Sequence, residues 1–350
     1  MKKITWILIL VLTALLSACA SAQPETPAEP QVLRVMTHDS FEVSEEVLAQ
    51  FEGENNVTVE FLKSGDTGSA VNAAVLAAGK PLADVFYGVD NTFLSRALDE
   101  AIFEPYQSPL LDEIPDEFKL DPDFGALPVD YGDVCLNYDL AYFEDAELAP
   151  PASLDELLKP EYAGLLAVPN PAASSPGLAF LLATIGTYGQ DGYLDYWQGL
   201  VDNDLSVVAD WETIYYSEFS RWGGPRPIIV SYGSSPPVEI IFAEEPMDTP
   251  PTGVVTAAGS CFRQIEFVGI LRGTEQRELA EKWVDFMLSL PFQEDLPLQM
   301  YVFPVRPDAE LNQVFVDFLA VPDDPVILDP AEIGVMRETW LEDWREVVFP

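Results

Sequence analysis

Five short segments gather the side chains that could do chemistry: Thr37-His38-Asp39-Ser40, Gly88-Val89-Asp90-Asn91, Val129-Asp130-Tyr131-Gly132, Ser174-Ser175-Pro176-Gly177 and Ser231-Tyr232-Gly233-Ser234-Ser235-Pro236. Each follows a run that reads as a strand or opens a run that reads as a helix. Small hydroxyls just before Pro-Gly leave backbone N–H groups free at a helix start, which suits an anionic group or an oxygen. Plain helix capping explains any one segment better. The functional reading rests on all five falling at strand ends.

Other chemistry is thinly supplied. The chain has one histidine, His38, so a Ser-His-Asp or Cys-His arrangement would have to run through it. There is no G-x-S-x-G elbow, no H-E-x-x-H and no P-loop. A zinc site built from several His or Cys ligands is excluded by count. Asp121-x-Asp123-x-Gly125 and Asp202-x-Asp204 lack the spaced ligands and terminal Glu of a calcium loop. Carboxylate pairs for glycoside hydrolysis stay open, because 59 acidic residues place pairs anywhere. The expectation is therefore no catalytic residue, no metal and no cofactor, with a secreted hydrolase as the enzyme alternative.

The elements that must position these segments alternate between strand and helix. Val32–Met36 reads as a strand, followed by a helix capped by Ser44 with Val43, Val47, Leu48 and Phe51 at helical spacing. Val57, Val59 and Phe61 alternate as a strand, Ala70–Ala78 is helix-like, and Ala83–Gly88 is a compact buried-strand pattern before a helix over 92–103. This βαβα order predicts an α/β fold with a mostly parallel sheet. After a long extended stretch, Leu127–Tyr138, the pattern resumes with strands at Leu165–Val168, Ser206–Ala209 and Ile228–Ser231 and helices near 177–188, 192–202 and 213–222. A second extended crossing, Arg263–Leu271, returns the chain. The spacing then predicts an amphipathic helix over Glu275–Ser289 and a last helix over 330–347, whose stripe Ile333, Met336, Trp340 and Trp344 reads as packing.

The amino terminus looks like an export signal. Lys2 and Lys3 precede an apolar run, Ile4 to Leu16, too short to span a bilayer comfortably. Leu16-Ser17-Ala18-Cys19 looks like a lipobox, which makes Cys19 the lipidation site, residues 1–18 a lipoprotein signal peptide and residues 19–31 a flexible Pro-, Glu- and Ala-rich tether. The remaining thiols, Cys135 and Cys261, can form one bridge in an oxidising compartment or stay as two buried thiols, depending on whether two strands bring them together.

Charge narrows the partners. With 17 basic and 59 acidic side chains the net charge is −42, and loss of residues 1–18 removes Lys2 and Lys3 and deepens it to −44. Nucleic acid is excluded as a partner, because phosphate neutralisation needs Lys and Arg clusters. A hydrophobic content of 48% argues for a large core rather than disorder.

Two α/β lobes joined by two extended crossings behind a lipobox is the layout of a solute-binding protein of an ABC importer, with ligand beyond the carboxyl ends of the strands. More specifically, the sequence resembles the thiamine-binding solute-binding proteins, of the two-lobed type II periplasmic-binding fold, from about Val32 to the C-terminal helix. The resemblance is carried by Thr37-His38-Asp39-Ser40-Phe41, Ala83-Asp84-Val85 leading to Gly88-Val89-Asp90-Asn91, Asp130-Tyr131-Gly132, Ser174-Ser175-Pro176-Gly177-Leu178, Asp210-Trp211-Glu212, Ser231-Tyr232 with Ser235-Pro236, and Phe303-Pro304-Val305.

The resemblance implies a ligand with a flat pyrimidine, a permanently cationic thiazolium and a polar tail. Trp211, Tyr215, Tyr232 and Tyr301 would offer aromatic faces to the cation, each contributing roughly 0.5–2 kcal/mol. Tyr301 stands where a Trp is usual, and His38 where a Tyr is usual. Asp39, Asp90 and Asp130, with Asn91 and Tyr131 beside them, would supply acceptors for the cation and the pyrimidine amino group. Ser174, Ser175 and Gly177 would face the hydroxyethyl tail or its phosphate, with Arg221 and Arg226 near enough in sequence to reach a phosphate. The implied protein is a monomeric lipoprotein that captures thiamine or a thiamine phosphate outside the cytoplasmic membrane and hands it to an ABC permease. Its lobes would comprise 32–131 with 263–305 and 132–262 with 306–350. The alternatives are the same fold binding a polyamine, ferric iron or a phosphonate.

Overall fold

A computed structural model describes residues 31–322 and 324–350; the expected signal peptide, the expected lipidation site Cys19 and nearly all of the expected tether lie outside the described residues. Among the described residues eleven strands form one sheet: β1 Gln31–Thr37, β2 Val57–Lys63, β3 Val85–Asp90, β4 Phe103–Glu104, β5 Leu127–Asp139, β6 Leu166–Pro169, β7 Ser206–Val208, β8 Ile228–Tyr232, β9 Thr252–Val255, β10 Phe262–Leu271 and β11 Phe303–Pro304. The main path runs β2-β1-β3-β10-β5-β8-β6-β7. β1 and β3 are parallel, as are β6 with β7 and β6 with β8, so each end of the sheet is a parallel α/β unit.

The two long strands join these ends. β5 pairs antiparallel with β10 through Leu127–Val134 and with β8 and β9 through its second half. β10 pairs in turn with β3. These are the two crossings read from the sequence, and they give an α/β architecture of two lobes sharing the central strands. Both crossing ladders shift register beside Phe267, which bends the strands where one lobe gives way to the other. Cys135 of β5 and Cys261, one residue before β10, are joined by a disulfide with Cα atoms 4.4 Å apart. Of the two readings left open, the bridge is the one formed, because Val134 and Phe262 are direct register partners.

The helices follow local signals. Ser44 caps Glu45–Asn55 by accepting from the Val47 amide, and Asp66 caps Thr67–Leu76 by accepting from Thr67 N. Ser175–Tyr188 starts with Pro at its first turn and is buried through Ile185, so it runs through the core. The sheet is mixed where a mostly parallel one was expected: the long strands β5 and β10 pair antiparallel with each other and with β8 and β3, so parallel pairing is confined to the two ends. The helices depart from expectation in three places. The helix expected over 92–103 is only Leu94–Asp99, because Ala101 takes a left-handed φ of 50° and the chain leaves directly into β4. The segment expected as one helix over 213–222 is a single turn, Trp211–Thr213, a π-helical turn over Ile214–Glu218 and a short 3₁₀ turn ended by Gly223. The helix Leu290–Gln299 was not expected, since Pro297 lies inside it.

The packing stripe of the last helix, Pro330–Val348, is buried at Ile333, Trp340 and Trp344, with Trp344 edge-on to Trp197 at 5.6 Å. This helix packs both on Tyr193–Asp202 and on Leu94–Asp99. Among the described residues no helix is long and apolar enough to cross a membrane.

Candidate functional site

A cavity of about 210 Å³ opens where the carboxyl ends of β1 and β8 meet the Trp211 turn and the segment Gln299–Val302. From the residues singled out in the sequence it is lined by His38, Asp39, Ser175, Trp211, Tyr232 and Tyr301. Strand order explains the convergence. β1 ends at Thr37 and delivers His38 and Asp39, β8 ends at Tyr232, and the helix after β6 starts at Ser175.

Each wall is held by a specific contact. Gly88 has a φ of 101°, and a Cβ there would sit 2.5 Å from His38 Cδ2, so only glycine lets the imidazole lie on β3. The Trp211 indole is 9% exposed, stacks on Tyr215 at 5.0 Å and donates through Nε1 to Ser231 Oγ at 3.2 Å. The π-helical turn that follows places two consecutive tyrosines against the same indole: Tyr215 face to face, Tyr216 edge-on at 6.1 Å. Tyr232 sits edge-on at 6.3 Å and donates to Gln264 Oε1 at 2.9 Å. Tyr301 holds a left-handed φ of 60°, its carbonyl accepting from the Ser234 hydroxyl. Such a conformation is sparsely populated for a bulky residue and marks a constrained position.

Two contacts cross the cavity mouth. Trp211 N donates to Asp66 Oδ2 at 3.4 Å, and the Ser40 hydroxyl to Glu212 Oε1 at 3.4 Å.

The electrostatics are strongly acidic. Among the described residues, Asp39, Glu42, Asp66, Glu212 and Glu266 line the cavity against one cation, Lys63, which is paired with Glu42 at 2.6 Å. Burial pushes the Asp66 carboxyl up to about 6, partly offset by Ser174 and by the Thr67 and Trp211 amides. Burial also pulls His38 down to about 4, so the imidazole is neutral near pH 7, with Nε2 3.6 Å from Glu266 Oε1.

Beneath the cavity the register aligns three acids side by side: Glu266 of β10 faces Asp90 on β3 and Asp130 on β5. Tyr87 donates to Asp130 Oδ2 at 2.6 Å and lies 3.1 Å from Glu266 Oε2. Burial raises Asp130 to about 7 and Glu266 well above its ordinary value, the latter also through the charges of Asp130 and Asp90. Adjacent buried carboxylates cannot all ionise, so this row holds protons at neutral pH.

The remaining expected residues lie outside the cavity lining. Asp90 is fully buried one layer down, where Oδ1 accepts from the Thr92 and Phe93 amides and the Thr92 hydroxyl. Asn91 ties β3 to β10, accepting from Ile265 N and donating to Arg263 O. Asp130 is in the buried row. Tyr131 is next to it on a strand and must point to the opposite face, where it stacks on Phe118 at 4.9 Å beneath the Arg263 guanidinium. Ser174 is fully buried behind Asp66, and Gly177 is packed against the Pro169 carbonyl with no room for a Cβ. Tyr215 backs Trp211 and donates to Glu239 at 3.0 Å.

Strand-end reasoning missed Asp66, Glu212, Tyr216, Glu266 and Met300. Glu266 did leave a signal: it is the one acid in the otherwise apolar run Ile265–Leu271, and an isolated charge on a buried strand is informative. Among the described residues no group of three or more His, Cys, Asp or Glu is arranged to hold a metal ion. The arrangement suits capture of a flat organic cation: aromatic faces on one side, acceptors around the rim and hydroxyls at a helix start.

Comparison with known proteins places the chain among extracellular solute-binding proteins. The family model described as bacterial extracellular solute-binding protein matches residues 80–317. The thiamine-binding periplasmic protein of Salmonella typhimurium is 29% identical over 95% of this chain and 97% of its own length, and that of Escherichia coli 28% over 91% and 93%. A solved periplasmic thiamin binding protein superposes with a TM-score of 0.81 at 25% identity, covering 93% of this chain and 99% of that one. A ferric binding protein from Campylobacter jejuni shares the fold at a TM-score of 0.72 and 17% identity, over 91% and 100% of the two chains.

Proposed function

The chain belongs to the bacterial extracellular solute-binding protein family, and from that premise we propose that it captures thiamine or a thiamine phosphate in the aromatic, acidic cleft and delivers it to an ABC permease. The observation that carries the reading is the pairing, in one cavity, of the Trp211, Tyr216, Tyr232 and Tyr301 rings with five carboxylates and a single, already paired lysine. A delocalised cation gains from both at once. The thiazolium lies against Trp211, whose other face is covered by Tyr215; Asp39 and its neighbours accept from the pyrimidine amino group; Ser175 meets the tail.

Closure of the lobes 32–131 with 263–305 and 132–262 with 306–350 would excluded-volume the ligand from water, with the Asp66–Trp211 and Ser40–Glu212 contacts as the latch. The protein acts as an exported monomer anchored through Cys19, outside the cytoplasmic membrane, and no bond is made or broken.

The ferric alternative would draw on the Tyr215-Tyr216 pair, but the Tyr215 hydroxyl is committed to Glu239 and only Tyr216 reaches the cavity. A thermal-shift panel of thiamine, spermidine, ferric citrate and a phosphonate tests the proposal. Binding to the native state alone raises stability by RT ln(1 + [L]/Kd). Thiamine is expected to raise Tm while the other three leave it unchanged. A shift with any of those three and none with thiamine contradicts the proposal.

A further inference from the structure

Both anchors of the Trp211 indole lead to one short helix, Ser235–Ile241, which starts just after β8. At the indole's edge, Nε1 donates to Ser231 Oγ, and that oxygen lies 3.1 Å from Ser235 Oγ in the first turn of the helix. At its face, Tyr215 stacks on the ring at 5.0 Å, and the Tyr215 hydroxyl donates to Glu239 Oε1 at 3.0 Å. Ser235 and Glu239 are four residues apart, so both project from the same face of the helix. Pro236 and Pro237 lie between them and fix φ in its first turn.

Glu239 serves only as an acceptor. Thr252 of β9 also donates to Oε1, at 3.2 Å, and Arg221 Nε donates to Oε2 at 2.9 Å. The Glu239 side chain is 2% exposed and lies off the cavity lining, as does Tyr215. A buried ion pair often adds no more stability than apolar side chains of the same volume. What the carboxylate fixes is direction: with donors from Tyr215, Thr252 and Arg221 converging on it, the Tyr215 hydroxyl has a set position, and the plane of its ring follows. That ring backs the indole and leaves the opposite indole face to the cavity. Attraction of a cation to a ring depends on its placement over the face, so a tilted indole holds it less well.

We propose that Glu239 is a positioning residue for cation capture: acting through Tyr215, it holds the Trp211 indole with its open face toward the cavity. The inference rests on the thiamine reading above and deepens it, by naming what keeps the aromatic face in place.

The test is a double-mutant cycle read by calorimetric titration of the full mature chain with thiamine, at one pH and salt, with far-UV circular dichroism as the fold check. Glu239→Gln keeps the side-chain volume and removes the charge that gathers the donors. It should weaken thiamine binding about three- to tenfold, less than the roughly 30-fold expected when the whole indole is lost. Tyr215→Phe keeps the ring, removes only the hydroxyl and should lose a similar factor, so a poorly folding Glu239→Gln leaves the claim testable. In a Trp211→Ala background both losses should shrink to within about twofold, because no indole remains to be held. A purely structural role would lower Tm and act alike in both backgrounds. Folded variants that bind thiamine as tightly as wild type, or losses of equal size with and without Trp211, overturn the inference while leaving thiamine capture standing. A loss confined to Tyr215→Phe, with Glu239→Gln folded and unaffected, overturns it too, since the hydroxyl then acts without Glu239. If wild type binds no thiamine, the thiamine reading itself falls and this inference falls with it.

Discussion

Replacing Trp211 with Ala tests whether an aromatic face holds a cation. The indole is 9% exposed, with Tyr215 stacked behind it at 5.0 Å and Tyr216 and Tyr232 at its edges. A cation over such a face is desolvated, so the upper end of the cation–π range applies, about 2 kcal/mol. At 1.4 kcal/mol per tenfold, Trp211→Ala should weaken thiamine binding by roughly 30-fold from this contribution alone. Trp211→Phe keeps a ring of weaker quadrupole and should lose only about three- to fivefold. Truncation also opens a cavity beside Tyr215 and removes the indole donor to the Ser231 hydroxyl, which keeps its bond to Ser235, so the Ala variant will melt at a lower temperature. Binding is therefore compared by titration calorimetry well below both melting transitions, with far-UV circular dichroism as the fold check. The uncharged thiazole analogue of the ligand is the control, and its smaller affinity should respond far less to either substitution. The reasoning is refuted if folded Trp211→Ala binds thiamine within about twofold of wild type, or if Phe loses as much as Ala.

Three further outcomes follow from the same geometry. Asp66 and Asp130 have folded-state values raised by burial to about 6 and about 7, so the stability they confer is greatest at low pH and is lost as pH rises through those values. The ligand-free protein should lose thermal stability between about pH 4 and 8, and thiamine, which favours the ionised carboxylates, should bind more tightly and release protons over the same range. Titrations in two buffers of different ionisation enthalpy measure that release, and a pH-independent affinity would contradict it. The Cys135–Cys261 bridge closes 126 residues, so Cys135→Ser with Cys261→Ser should cost about 5 kcal/mol on the loop-entropy account, read as a lower denaturant midpoint in the oxidised-versus-mutant comparison. Finally, a net charge of −42 predicts that the association rate for thiamine falls as sodium chloride is raised, whereas the dissociation rate changes little; stopped-flow tryptophan fluorescence reads both.

Much of the fold was legible because its strands and helices carry clear periods. Alternation in β2, apolar compactness in β3, β6 and β8, and the long extended runs of β5 and β10 each encode one element and, in order, the two crossings. The two-residue strands β4 and β11 have no period to detect, and Pro297 inside Leu290–Gln299 argues locally against a helix that packing nonetheless holds. At the site, strand ends pointed to His38, Asp39, Ser175 and Tyr232, and the resemblance pointed to Trp211 and Tyr301. The same rule also picked out Asp90 and Asp130, which stand in the buried row beside Glu266 and not on the cavity lining. A carboxylate at a strand end reads identically whether it faces a cleft or a neighbouring strand, and only the pairing of β3, β10 and β5 shows that these two face Glu266. Asp66 was hidden for a related reason. Its Gly65-Asp66-Thr67 context reads as a helix cap, which it is, and its second role depends on Ser174 and Trp211, more than 100 residues away.

The acidity of the chain far exceeds what one bound cation needs, so charge describes the surface and its medium while the cleft selects the ligand. The most direct measurement of that selection is calorimetric titration of the mature, untagged protein with thiamine at neutral pH. The account predicts saturable binding at one thiamine per chain, with a matching rise in Tm. Absence of both heat and thermal shift at millimolar thiamine would contradict it.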